Sequence, residues 1–138
     1  MDLKEITESL RGCACGREHT TDVKAVVAFS GLAHSAGEML AENAFPKEIL
    51  LVADRNTLAA AQGVAESVER AGFLIKRRLV YPDLRKAEAG DVEKVELESA
   101  GLGGILSVGT GSLNDICRLA AYRRGLAFAI FATAPSMD

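Results

Sequence analysis

Gly104-Ile105-Leu106-Ser107-Val108-Gly109-Thr110-Gly111-Ser112-Leu113-Asn114-Asp115 is the stretch on which the reading of the fold turns. Its first five residues are a short apolar run suited to a buried strand, a glycine-rich turn follows, and a helical pattern runs from Leu113 to Arg124. A strand leading through glycines into a helix is half of a βαβ unit, and the rest of the chain repeats that alternation.

Downstream, Ala127-Phe128-Ala129-Ile130-Phe131-Ala132 reads as the last strand. Upstream, Val23 to Phe29 is rich in β-branched and apolar residues and ends at Ser30-Gly31, which predicts a strand, with a helix following through Glu42. Glu48 to Ala53 is a continuous apolar run of the kind a parallel strand buried on both faces requires, and it ends at Asp54. From Asn56 to Ala71 apolar residues recur at Leu58, Ala61, Val64, Ala65 and Val68, a helical spacing with Gly72 as its stop. Phe73 to Val80 predicts another strand, Tyr81-Pro82-Asp83 a turn, and Asp91 to Ala100 an acidic amphipathic helix closed by Gly101. Strands separated by helices along the whole chain predict an α/β fold, a mostly parallel sheet with helices on both faces.

Composition sets the bounds. With 138 residues, 49% hydrophobic and 25% charged, the chain has the apolar material for one ordinary domain. A formal charge of -3 gives no electrostatic argument for nucleic acid. Lys76-Arg77-Arg78 and Arg123-Arg124 are short and read as solvated faces. No apolar run approaches the ~20 residues of a membrane span, and Met1-Asp2-Leu3-Lys4-Glu5 lacks the order of a signal peptide. A cytoplasmic protein is expected. Three cysteines, an odd number without a secretory signal, argue against a disulfide framework.

In parallel α/β sheets ligands bind beyond the carboxyl ends of the strands. Asp54, the segment Gly109 to Asp115, and Thr133 to Asp138 all fall at predicted strand carboxyl ends. Gly109 and Gly111 allow a phosphate to approach the backbone at a helix start, and Thr110 and Ser112 add hydroxyl donors. Ser112 with Asp115 also has the spacing of a capping box, so the turn reads equally as a capped strand-to-helix junction with no ligand. The loop departs from the GxGxxG fingerprint, because the third glycine is missing. A carboxylate at Asp54 suits ribose hydroxyls, as it suits a helix N-cap, and Arg55 beside it suits a 2′-phosphate.

The run from Gly109 to Arg118, then Ala120-Ala121-Tyr122 and Ala132-Thr133-Ala134-Pro135-Ser136-Met137-Asp138, resembles the glycerol-1-phosphate dehydrogenases, in the superfamily of iron-type alcohol dehydrogenases, glycerol dehydrogenases and dehydroquinate synthases. Cys13-Ala14-Cys15-Gly16 with His19 resembles the bacterial members of that branch. The resemblance implies a Rossmann-like domain over residues 1–138, with 1–20 as an N-terminal extension, from an enzyme that moves a hydride between NAD(P)H and dihydroxyacetone phosphate, a phosphorylated polyol precursor. It places the cofactor pyrophosphate on Gly109, Gly111, Ser112, Leu113, Asn114 and Asp115, the ribose on Asp54, the nicotinamide side on Thr133 and Ser136, and the substrate on Asp138. NAD or NADP stays open.

The family's Zn²⁺ or Ni²⁺ is held by one acid and two histidines of a helical second domain. This chain has only His19 and His34, both upstream of the loop, so the inherited site and its domain are expected to be absent and the chain alone inactive. Cys13, Cys15 and His19 are metal-type donors, with Cys117 a candidate fourth, yet Cys-x-Cys is not the usual Cys-x-x-Cys knuckle. Small packed or weakly reactive thiols are the favoured reading of these cysteines. His34 reads as a surface or partly packed histidine. The alternatives are a domain of a glycerol or other polyol dehydrogenase or of a dehydroquinate-synthase-like enzyme, and a non-catalytic module binding a nucleotide or another protein. An exposed apolar patch would favour the last and would allow a homo-oligomer.

Overall fold

Ile49 to Ala53 have no exposed surface at all. A strand covered on both faces needs helices on both sides, and the path of the chain supplies them. The computed structural model describes residues 3–84 and 86–134. The chain divides into two compact units, Met1–Leu32 and Ala33–Asp138.

The larger unit runs α2 (Ala36–Glu42), β1 (Glu48–Asp54), α3 (Arg55–Ala60), α4 (Val64–Arg70), β2 (Leu74–Tyr81), α5 (Ala89–Glu98), β3 (Gly104–Gly109), α6 (Gly111–Arg124) and β4 (Ala127–Ala132). Its four strands are parallel in the order β2-β1-β3-β4. From β1 the chain steps outward to β2, then crosses back over β1 to β3 and continues to β4. Right-handed crossovers travelling in opposite directions deposit their helices on opposite faces. Leu50, Val52 and Ile105 accordingly pack under α5 and α6, against Val92, Val95, Leu113, Ile116 and Ala120. Ile49, Leu51, Ala53, Leu106 and Val108 face α2 and α4, against Ala36, Val64, Ala65 and Val68. This is the α/β fold that the alternation predicts.

β2 is an edge strand, and its basic run is solvated: Lys76 pairs with Glu48 at 3.1 Å and Arg78 with Glu69 at 2.9 Å. Charges on an edge discourage pairing with another chain.

Beyond shifts of one or two residues at the ends of several elements, the structure departs from the expectation in these places. Val23 to Phe29 forms no strand, and Val23, Val26, Val27 and Phe29 are exposed. β-Branched residues fit a pleated sheet but do not make a strand without a neighbour to pair with. The helix expected after Gly31 begins only at Ala36, behind a 3-10 turn. The helix expected over Asn56 to Ala71 is two, α3 and α4, because Gly63 takes a left-handed conformation (φ 94°) at the N-cap of the second. Tyr81, read as a turn, is the last residue of β2.

The smaller unit contains α1 (Leu3–Ser9). None of its described residues, 3–32, is buried.

Close contact between α2 and α4 rests on Gly37. Its N–H donates to Ser67 Oγ at 3.0 Å, and a Cβ there would stand 2.2 Å from the Ser67 carbonyl oxygen. Alanine improves helix propensity by about 0.5–1 kcal/mol, whereas overpacking against backbone costs about 1–3 kcal/mol. The clash wins, so Gly37→Ala is expected to lower the urea midpoint; an unchanged or raised midpoint would show that the helices separate freely.

Candidate functional site

The strand order reverses at β1, whose two neighbours β2 and β3 are reached in opposite directions, so the crevice of the sheet opens between the carboxyl ends of β1 and β3. Asp54 ends β1 and Gly109 ends β3.

Asp54 is the N-cap of α3 in a reciprocal capping box. Thr57 N–H donates to Asp54 Oδ1 at 2.8 Å, and Asp54 N–H donates to Thr57 Oγ1 at 3.1 Å. Thr57 Oγ1 also donates to the Val108 carbonyl at 2.7 Å, tying the start of α3 to the end of β3. Thr57 was missed in the sequence, although Asp54-Arg55-Asn56-Thr57 carries the spacing of such a box. An ionised carboxylate offers about four acceptor sites, so capping through Oδ1 leaves acceptor capacity on half-buried Asp54.

Across the crevice α6 starts at Gly111, with Thr110 extended at the N-cap (φ −129°, ψ 178°) and making no side-chain capping bond. The expected Ser112–Asp115 capping box therefore does not form. Ser112 already lies inside the first turn, so its hydroxyl is past the cap position. The leading N–H groups of a 14-residue helix stay unsatisfied by its own backbone and carry the positive end of its dipole.

The loop residues divide by role. Leu113 is buried, and a Cβ on Gly109 would stand 2.4 Å from Leu113 Cδ2, so Gly109 is required by packing. Asn114 turns back onto β3: Oδ1 accepts from Ser107 Oγ at 2.7 Å and Nδ2 donates to the Gly109 carbonyl at 3.4 Å. These contacts fix the shape of the turn. Asp115 is exposed and pairs with Arg118 at 3.4 Å. Thr133 N–H donates to the Gly109 carbonyl at 3.2 Å, which brings the end of β4 beside the same turn. Ser136 and Asp138 lie outside the described residues.

Cys117 is fully buried on α6 and belongs to the apolar layer of the larger unit, the packed-thiol reading for this residue. Burial pushes its thiol up to about 12, against a smaller pull from the Ser107 hydroxyl. His34 is exposed, its ring lies against Gly63, and its carbonyl accepts from Ser67 Oγ at 2.9 Å. Among the described residues no acid with two histidines comes together as a metal site, so the donor set implied by the family does not fit this chain.

In the smaller unit, Cys13, Cys15 and His19 do converge, with donor atoms all within 4.8 Å of one another and Cys15 Sγ 3.0 Å from His19 Nε2. Both thiols are exposed, so the packed-thiol reading fails for them. Hydrogen bonds from the Cys15 backbone and thiol hold Cys13 below the usual thiol range.

Residues 27–138 match the family model described as iron-containing alcohol dehydrogenase. The chain belongs to the iron-containing alcohol dehydrogenase family. Among curated relatives, the glycerol-1-phosphate dehydrogenase (NAD(P)+) of Bacillus velezensis is 36% identical over 96 residues, covering 64% of this chain and 24% of that protein. The protein of the same name from Geobacillus stearothermophilus is 27% identical over 144 residues, covering 99% of this chain and 35% of that protein. The chain thus spans between 24% and 35% of the length of these two relatives. Among solved structures, glycerol dehydrogenase from Schizosaccharomyces pombe aligns with a TM-score of 0.58 at 17% identity, over 72% of this chain and 25% of that one. Maleylacetate reductase from Agrobacterium tumefaciens also gives 0.58, at 16% identity, over 83% and 33%. At such identities the likeness is one of fold, the Rossmann-like α/β arrangement.

Two outcomes follow from this geometry. Thr57→Val removes the donor to a strand-end carbonyl and half of the capping box, and is expected to destabilise by about 1–3 kcal/mol in chemical denaturation, with Thr57→Ser close to the parent. A parent-like Thr57→Val would show that the tie between α3 and β3 contributes nothing. Under native conditions at neutral pH, iodoacetamide is expected to modify Cys13 and Cys15 and spare Cys117 until denaturant is added, read by peptide mass spectrometry.

Proposed function

We propose that the chain is the NAD(P)-binding domain of a cytoplasmic, metal-dependent sn-glycerol-1-phosphate dehydrogenase. The observation that carries this reading is the placing of Asp54, the open N-terminus of α6 and Thr133 around one crevice at the carboxyl ends of β1, β3 and β4. Family membership and the names of the relatives support the substrate, dihydroxyacetone phosphate and its reduced form.

When bound, the dinucleotide supplies the hydride. The chain's own residues bind and orient it. The leading N–H groups of α6, at Gly111, Ser112 and Leu113, take the pyrophosphate, with the helix dipole opposing its negative charge. Asn114 holds the turn so that these groups converge. Asp54 takes the ribose hydroxyls through the carboxylate oxygen that the α3 cap leaves free, and Arg55, next to it in sequence, would pair with a 2′-phosphate. Thr133 and Ser136 serve the nicotinamide side and Asp138 the substrate. This chain spans 24% to 35% of the length of the two relatives, so we assign the catalytic metal to a part of the enzyme outside residues 1–138 and expect the chain alone not to turn over.

Calorimetric titration with NADH and with NADPH tests this. Saturable binding of either is expected, and Gly111→Asp is expected to abolish it. A carboxylate in the first turn repels the pyrophosphate, while its interaction with the helix dipole is favourable by about 0.3–1 kcal/mol; circular dichroism and a thermal melt check that the variant is folded. A folded chain that binds neither nucleotide overturns the reading and leaves a protein-binding module, for which exposed Val23, Val26, Val27 and Phe29 would be the surface.

A further inference from the structure

Among its described residues, 3–32, the unit Met1–Leu32 has no hydrophobic core: none is buried and α1 buries no side chain. Segments below about 40 residues that hold a structure usually need a disulfide, a metal or a partner. Within this unit, three donors of metal-binding type have come together. We propose that Cys13, Cys15 and His19 bind one Zn²⁺ ion and that this ion orders the N-terminal unit.

The backbone accounts for how a Cys-x-Cys pair, short of the usual spacing, reaches such a geometry. Gly12 (φ 79°) and Gly16 (φ 70°) bracket the pair in left-handed conformations. Cys13 N–H donates to the Leu10 carbonyl at 3.2 Å and Gly16 N–H to the Cys13 carbonyl at 3.3 Å, closing a tight turn over Cys13 to Gly16. That turn presents both sulfurs to His19, three residues beyond it. Zn–S of about 2.3 Å and Zn–N of about 2.0–2.1 Å in a tetrahedron put donor atoms about 3.5–3.8 Å apart. The donors here lie within 4.8 Å of one another, with the Cys15–His19 pair at 3.0 Å, so sub-ångström to ångström side-chain adjustments bring all three onto one ion.

The donor chemistry selects the metal. Two thiolates and a neutral imidazole favour Zn²⁺ over the hard cations that prefer carboxylate and carbonyl oxygen. Binding releases the two thiol protons, and two thiolates balance the ionic charge. The fourth position goes to water. His19 lines a cavity of 250 Å³ with Thr7, Leu10, Arg11, Arg17 and Thr20, which gives solvent a way in. The ion would cross-link the turn to the segment at His19 and so supply the organising contacts that the absent core does not.

The metal-stripped, reduced 138-residue chain is titrated with Zn²⁺ alone against a chromogenic chelator, beside Cys13→Ser, Cys15→Ser and His19→Asn, with Cys117→Ala as control. One Zn²⁺ per parent chain is expected. Each ligand variant should weaken binding by more than about a hundredfold, beyond the ~10–100-fold that outer-shell changes cost, and the control should leave it unchanged. Co²⁺ in place of Zn²⁺ should show thiolate charge-transfer absorption in the parent and lose intensity in each cysteine variant. Zn²⁺ should also slow amide exchange in residues 3–20 and shield Cys13 and Cys15 from iodoacetamide, with the amides of 33–134 unaffected. A reduced, folded parent that takes up no Zn²⁺, or a His19→Asn variant that binds it as tightly as the parent, overturns the proposal. NAD(P)H binding is read separately, so failure of either assignment leaves the other standing.

Discussion

Complete burial of β1 is the constraint from which the larger unit follows. A strand with no exposed residue between Ile49 and Ala53 can carry apolar side chains on both of its faces only if helices cover both. Short right-handed crossovers then oblige the chain to leave β1 in one direction and return past it in the other. The crevice between the ends of β1 and β3 is a geometric by-product of that reversal. Its chemistry is set by the two residues that happen to end those strands, Asp54 and Gly109, and by the tie that Thr57 makes between them.

That coupling joins the strand ends around the crevice through polar contacts. Thr57 bonds at once to the backbone of β1, where its Oγ1 accepts from Asp54 N–H, and to the backbone of β3, where it donates to Val108. On the other side Asn114 reaches back to Ser107 and Gly109, and Thr133 donates to Gly109 as well. The Gly109 carbonyl is therefore a shared acceptor for α6 and β4. Three strand ends are tied to one another by short polar contacts, whereas the leading N–H groups of α6 have no partner in the helix's own backbone and receive no side-chain cap from Thr110.

How far this was legible in the sequence varied with the kind of signal. Ile49 to Ala53 declares itself as a strand because burial on both faces leaves no polar residue to blur the run, Gly104 to Val108 is buried throughout with Ser107 as its one polar residue, and Ala127 to Ala132 is apolar throughout although it lies at the sheet edge and is only partly covered. The break between α3 and α4 was hidden, since the apolar spacing at Leu58, Ala61 and Val64 continues across it and only the conformation at Gly63 interrupts the helix. Val23 to Phe29 misled for the opposite reason: strand propensity is a local property, and pairing is not. In the site, the loop was found by its glycines, but the reasons for its residues were not. Gly109 is needed to make room for Leu113, and Asn114 is directed at the strand behind it, both of them tertiary facts that no spacing carries.

The two units also differ in what can hold them together. Ala33–Asp138 is stabilised by two apolar layers, one on each face of its sheet, and the loss of any one polar contact leaves those layers in place. Met1–Leu32 has no such reserve. What its described residues show instead is a short helix, single backbone bonds, three left-handed glycines and the convergence of Cys13, Cys15 and His19. Hydrophobic burial is non-directional and accommodates small changes of sequence, whereas a three-donor cluster fails when one donor is lost. Sensitivity to substitution should therefore be graded in the larger unit and abrupt in the smaller one, because the forces that organise them scale differently with the removal of a single side chain.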